Sequence, residues 1–144
     1  MPSDRSLIDL FGQHRAEFDE VRSMSQADKR IQRISTSFVT LVGNIAPTPD
    51  ELDSTLSRQR LAKYRRLLSD IHDPNGIIIE DGTVTFMFYG EGFGGTGRVK
   101  AILWSAQPQS PLTQDLDSLS NVRTTPFIAF RRIAPEWYLE YETF

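Results

Sequence analysis

The hydrophobic pattern changes period once, at Asp73-Pro74-Asn75-Gly76, and that change constrains the fold more than any other feature of the chain. Before it, apolar residues recur at steps of three and four, the spacing that gathers them on one face of a helix. After it they alternate in steps of two or run together between turn residues, as half-buried strands do. Helices first and strands afterwards imply segregated layers. The expected fold is α+β: three N-terminal amphipathic helices packed on one face of a C-terminal antiparallel sheet of about five strands. One domain spans 1–144, with a helical half at 1–73 and a sheet half at 77–144.

The first helix is predicted over 3–24, with Leu7, Phe11, His14, Phe18 and Val21 on its stripe. Ser6 and Asp9 resemble a capping box at its start, and Gly12 inside it costs about 1 kcal/mol relative to alanine. A second helix is predicted from Ser25 to Ile45 on the stripe Ile31, Ile34, Phe38, Leu41 and Ile45. Ser35-Thr36-Ser37 weakens its propensity without interrupting the stripe, and Pro47 ends it. The third, over 48–71, has the best start: Thr48 as N-cap, Pro49 in the first turn and Glu51 completing a capping box.

Beyond Gly76 the strands are Ile77–Ile79, 83–89, 98–104, 127–133 and 136–143. Asp81-Gly82 is the dipeptide preferred in a type I′ hairpin. If the last hairpin has an even loop about Ala134-Pro135, Ile128 and Phe130 share a face with Trp137, Leu139 and Tyr141. Arg131, Tyr138, Glu140 and Glu142 then take the face toward solvent or a partner. Between Ser105 and Pro126, Leu112, Leu116 and Leu119 would form a short helix capped by Ser110.

Composition excludes several classes of function. With no cysteine among 144 residues, disulfides, thiolate nucleophiles and the usual structural zinc sites are absent. The net charge of −3 resides wholly in residues 77–144, so a nucleic-acid partner is not expected. No apolar run reaches the roughly 20 residues of a membrane span, and the first residues lack the pattern of a signal peptide. The expectation is a cytoplasmic protein.

Motifs of chemistry are few. Gly90, Gly92 and Gly95 spell G-x-G-x-x-G but lie between two predicted strands, whereas a dinucleotide fingerprint needs a strand and then a helix. His14 belongs to an apolar stripe, and Asp70, His72 and Asp73 crowd a helix end that favours an imidazolium anyway. Arg58, Arg60, Lys63, Arg65 and Arg66 spread around the third helix, as a solvated face does. No catalytic constellation, metal or cofactor site is expected.

Three segments carry a resemblance. Gly82–Ser105 with its glycine loop, the stretch from Gln107 to Asp117, and Arg131-Arg-Ile-Ala-Pro-Glu-Trp-Tyr-Leu-Glu-Tyr resemble a family of small bacterial proteins of undefined function. The likeness runs roughly over 58–142 and implies the fold without implying an activity. Function is therefore read from surfaces. The leading expectation is a non-enzymatic protein-binding domain of the immunity type, which occludes the active site of a bacterial toxin. Its contacts are expected at Glu91, Phe93, Asp115, Asp117, Tyr138, Glu140 and Glu142, since carboxylates can mimic an anionic substrate and steer association. The alternative is a small enzyme or ligand-binding domain with a pocket at Arg98, Trp104 and Tyr138.

Overall fold

The computed structural model describes all residues except 74, 94, 95 and 122–125, together with the side chain of Phe93. Among the described residues it contains four α-helices and a seven-stranded antiparallel sheet. The α+β class agrees with the sequence, while both element counts are higher than expected. Each predicted helix departs from its expected course in a way the local chemistry explains.

The first is broken at His14 (φ −120°, ψ 29°) into α1 (Asp4–Gln13) and α2 (Arg15–Ala27). Ser3 caps it, accepting from the Ser6 N–H, so the cap lies three residues before the Ser6–Asp9 pair. The second helix does not form. In its place stands a hairpin of β1 (Ile31–Ile34) and β2 (Val39–Leu41). The Ser35 hydroxyl accepts from the backbone N–H groups of Ser37 and Phe38, a side-chain turn that outcompetes helix. A bulge between Ile31 and Arg33 lets Ile31 and Ile34 both face inward, while Phe38 and Ile45 are exposed. The third helix breaks at Leu56 into α3 (Pro49–Thr55) and α4 (Arg58–Asp70). Its capping box is intact, with Thr48 accepting from Glu51 N–H and Glu51 accepting from Thr48 N–H. Replacing Thr48 by alanine should lower stability by about 1 kcal/mol, read as a shift of the urea midpoint at unchanged slope.

The helix α4 ends in a Schellman motif. Asp73 N–H reaches Leu68 C=O and His72 N–H reaches Ser69 C=O, with His72 left-handed at φ +55° where glycine is usual. Four residues on, Gly76 has φ +81°, and a Cβ there would lie 2.0 Å from the Ile34 carbonyl oxygen. Only glycine lets the chain pass so close to β1 and enter the sheet.

The remaining strands are β3 (Ile77–Glu80), β4 (Thr83–Phe93), β5 (Thr96–Ser105), β6 (Phe127–Ala134) and β7 (Trp137–Thr143). Their order across the sheet, β2-β1-β3-β4-β5-β7-β6, is nearly that of the sequence. The turn between β3 and β4 is not type I′, since only Gly82 has positive φ there. The described residues of the glycine-rich segment extend the β4–β5 ladder, with Gly92 opposite Gly97, while Gly95 of the G-x-G-x-x-G string lies outside the described residues. A bulge between Met87 and Tyr89 turns Tyr89 toward the face of Lys100. In place of the helix expected near Ser110, Leu112 bridges Phe130 at the sheet edge, and Asp117–Leu119 forms one 3₁₀ turn.

The closing hairpin is shifted by one residue from the expected register. Ala129 faces Tyr141 and Arg131 faces Leu139, with a bulge between Arg132 and Ala134 and a turn in which Glu136 has φ +65°. A one-residue slip sends every side chain of one strand to the other face. Ile128 and Phe130 therefore lie with Tyr138, Glu140 and Glu142, whereas Arg131 turns toward the helices. Between helices and sheet, Phe11, Phe18, Phe86 and Trp137 form one aromatic cluster with centroids 4.9–6.0 Å apart. Each fully buried ring contributes about 2–3 kcal/mol of apolar burial.

Candidate functional site

The sheet has two unlike faces. Helix residues join the large core with Val84, Phe86, Ile102, Trp104, Trp137, Leu139 and Tyr141. The opposite face carries only a small cluster of Leu103, Phe130 and Tyr138, to which no helix residue belongs. Beside that cluster, Glu140 and Glu142 sit two residues apart on β7, and the β3 register places Glu80 on the same face. Burial pushes the Glu140 carboxyl up to about 7, and the charges of Glu142 and Glu80 add to the shift. The face thus presents three carboxylates whose mutual repulsion the described residues do not relieve at Glu140. Ile128 and Leu112 are exposed near its edge. The structure puts Tyr138, Glu140 and Glu142 on one face, as expected, but Tyr138 is buried there and does not offer the surface contact expected of it.

It does not bring the other expected contacts to that face. Glu91 is engaged at the far end of β4 by Tyr89 and by Arg98, whose Nε is 2.6 Å away. The side chain of Phe93 lies outside the described residues. Asp115 is exposed, and its Oδ1 accepts from Ser118 N–H at 3.2 Å to start the 3₁₀ turn. Asp117 is half-exposed and is engaged by the Lys100 ammonium and the Asp4 N–H. The pocket expected at Arg98, Trp104 and Tyr138 is not formed by those residues: Arg98 and Trp104 are six residues apart on β5, and Tyr138 is on the opposite face.

Asp117 belongs to a buried polar centre that the sequence reading missed. Lys100, with no exposed surface, lies 2.7 Å from Asp4 Oδ1 and 2.5 Å from Asp117 Oδ1. Asp4 Oδ2 accepts from Leu116 N–H and from Arg131 Nη1, each at 2.9 Å, and Asp117 caps α1 by accepting from Asp4 N–H. Burial by itself would raise the Asp4 carboxyl, but Lys100, Leu116 and Arg131 outweigh it and hold the group below its ordinary value. Carboxylate oxygens of Asp4, Asp115 and Asp117 gather within 4.8 Å, and the Lys100 ammonium supplies the cation for the two that touch it. One sequence signal was available. Lys100 shares its face with Ile102 and Trp104, so it had to be buried and paired.

The basic residues of α4 are largely neutralised. Arg58 pairs with Asp53, Arg60 with Asp28 at 2.7 Å, and Lys63 with Glu20 of α2. The Tyr64 hydroxyl donates to the same Asp28 at 2.6 Å, and burial followed by that carboxylate pushes the phenol far above its usual value. Beyond α4 a cleft of about 420 Å³ is lined by Ser35, Thr36, Arg65, Ser69, His72 and Asp73. Asp73 is buried, its Oδ1 accepts from Asn75 and Gly76 N–H, and Oδ2 has no hydrogen-bond partner. Burial pushes this carboxyl up to about 7 against those two hydrogen bonds and the nearby Arg33 charge. On the flank of the same helix end, the rings of His14 and His72 meet edge to face with centroids 6.3 Å apart.

Comparison with protein-family models, curated proteins and solved structures finds no match. The functional reading accordingly rests on these surfaces.

Proposed function

We propose that this chain is a protein-binding domain whose helix-free sheet face receives a basic partner, and that its task is the immunity-type neutralisation of a bacterial toxin by occlusion. The observation that supports this is the carboxylate group Glu80, Glu140 and Glu142, retained around an apolar cluster although its repulsion is unfavourable in the free domain. Rules of local consistency are broken in proteins chiefly where function requires it. A partner's lysine or arginine seated at Glu140 removes the repulsion, and the long-range field of the face accelerates encounter. Leu103, Phe130 and Tyr138 are buried beneath this face and support it, and the apolar side chains open to a partner are Ile128 and Leu112 at its edge.

Affinity capture from the native host, followed by calorimetry with the partner recovered, tests the reading. Glu140→Gln combined with Glu142→Lys should weaken binding at least tenfold and make it less sensitive to salt, with a melting temperature no lower than that of the unsubstituted chain. Unchanged affinity in a folded double variant would remove this face as the site.

A further inference from the structure

We infer that His14, His72 and Glu17 form a binding site for a divalent transition-metal ion, of the class that prefers imidazole ligands. The two histidines are the only ones in the chain, and 58 positions separate them. The fold nevertheless brings their rings edge to face at 6.3 Å between centroids. Two imidazoles on one tetrahedral zinc, with Zn–N bonds of about 2.0–2.1 Å, have centroids roughly 5 Å apart. The donor atoms of His14, Glu17 and His72 do not all lie within 4.8 Å of one another, so ion binding requires side-chain rotation that brings His72 to the other two.

A carboxylate completes the set. Glu17 Oε1 lies 3.6 Å from His14 Nδ1, a buried atom that has no hydrogen bond. Two imidazoles and one carboxylate leave a fourth position for water, as in three-ligand zinc sites. Both rings can be reached from solvent: the His14 side chain is 26% exposed and His72 is exposed. Helix polarity assists, because His72 directly follows Ile71, the C-cap of α4, where carbonyl dipoles favour a cation. At the N-terminal end of α2, Glu17 in the first turn offsets the opposite dipole.

The backbone supplies an independent reason. His72 is held at φ +55° in a position that glycine fills at lower cost. A side chain retained under such strain marks a place where the side chain is used. Of the ions that suit imidazole and carboxylate together, zinc, nickel and copper qualify, whereas calcium and magnesium call for oxygen donors alone.

The test is calorimetric titration of the full, untagged chain with ZnCl₂ in metal-free buffer, paired with thermal melts. Two variants are chosen to keep the fold: His14→Asn preserves a good helix-capping residue, and His72→Gly relieves the left-handed strain. The expected result is one ion per chain, with binding weakened at least tenfold in each histidine variant and several-fold in Glu17→Gln. Zinc at a hundredfold excess over the wild-type dissociation constant should raise the wild-type melting temperature by roughly 5 °C or more and that of His72→Gly by no more than about half as much. A purely structural role for His72 would show as higher stability in His72→Gly with zinc binding intact, and that result overturns the proposal. So does the absence of binding at 1 mM zinc, or binding lost instead in Asp115→Asn, which would assign the ion to the carboxylates near Lys100.

Discussion

Replacing Lys100 by methionine should destabilise the domain by about 3–5 kcal/mol, a large share of the stability a domain of this size possesses. Methionine fills nearly the same volume, so the loss reports charge. Without the ammonium, Asp4 keeps Arg131 and the Leu116 N–H but loses the nearest of the groups that offset its burial, and Asp117 loses an inward partner. The Asp4 carboxyl then titrates at higher pH, and acid unfolding should begin earlier. Urea denaturation of Lys100→Met, Asp4→Asn and the double variant measures the coupling. A double variant much less damaged than the sum of the singles is expected, because the remaining group is no longer a buried unpaired charge. Strict additivity would mean that the pair is not coupled.

The second large effect is a stability profile that rises on mild acidification. Asp73 and Glu140 both have folded-state values near 7, far above those of an unfolded chain. A group raised in this way contributes stability that is fully present below its unfolded value and is lost as pH rises through its folded value. Between about pH 4 and pH 7 the folded chain binds the extra protons, so stability should fall across that window and level off above it. Asp4 has the opposite sign: its value is depressed on folding, so its contribution is present above the unfolded value and disappears as pH falls below about 4. The maximum is therefore expected near pH 4–5. At pH 8, Asp73→Asn and Glu140→Gln should each stabilise by about 2–3 kcal/mol and flatten the profile. An asparagine oxygen can still accept from Asn75 and Gly76 N–H, which keeps the Asp73 turn formed. Urea midpoints measured from pH 4 to pH 8 decide the matter. A flat or rising wild-type profile, or variants that keep the wild-type slope, would contradict it.

The sheet half was legible because a strand's period of two is short enough for a few residues to fix. Val84 and Phe86 already show which way β4 faces. What defeated the pattern was bulges, which add a residue without any distinctive composition: Tyr89 changed face, and the closing hairpin slipped by one. In the helical half, Ile31, Ile34 and Leu41 happen to follow helical spacing while being buried from a bulged hairpin. The β-branched residues around them and the hydroxyl run at Ser35 carried the true signal, and periodicity outweighed them in the reading. The candidate site divides in the same way. Tyr138, Glu140 and Glu142 are neighbours in sequence, so their shared face could be read directly. His14 beside His72, and Lys100 beside Asp4, depend on how separate elements dock, which no local pattern encodes.

The attachment of Asp4 also has a consequence in time. Four of the sheet's six strand pairings join strands consecutive in sequence, and they can form as the chain lengthens. The first helix differs: its anchor Asp4 waits for Lys100, then Asp117, and finally Arg131, which is 127 residues downstream. During synthesis α1 must remain undocked until Arg131 and Trp137 have left the ribosome, and the aromatic face it brings to Trp137 stays unmatched for that interval. The last event of folding is then the closure of the chain's first element over its last strands, so a nascent chain should remain protease-sensitive at α1 after its central hairpins are already protected.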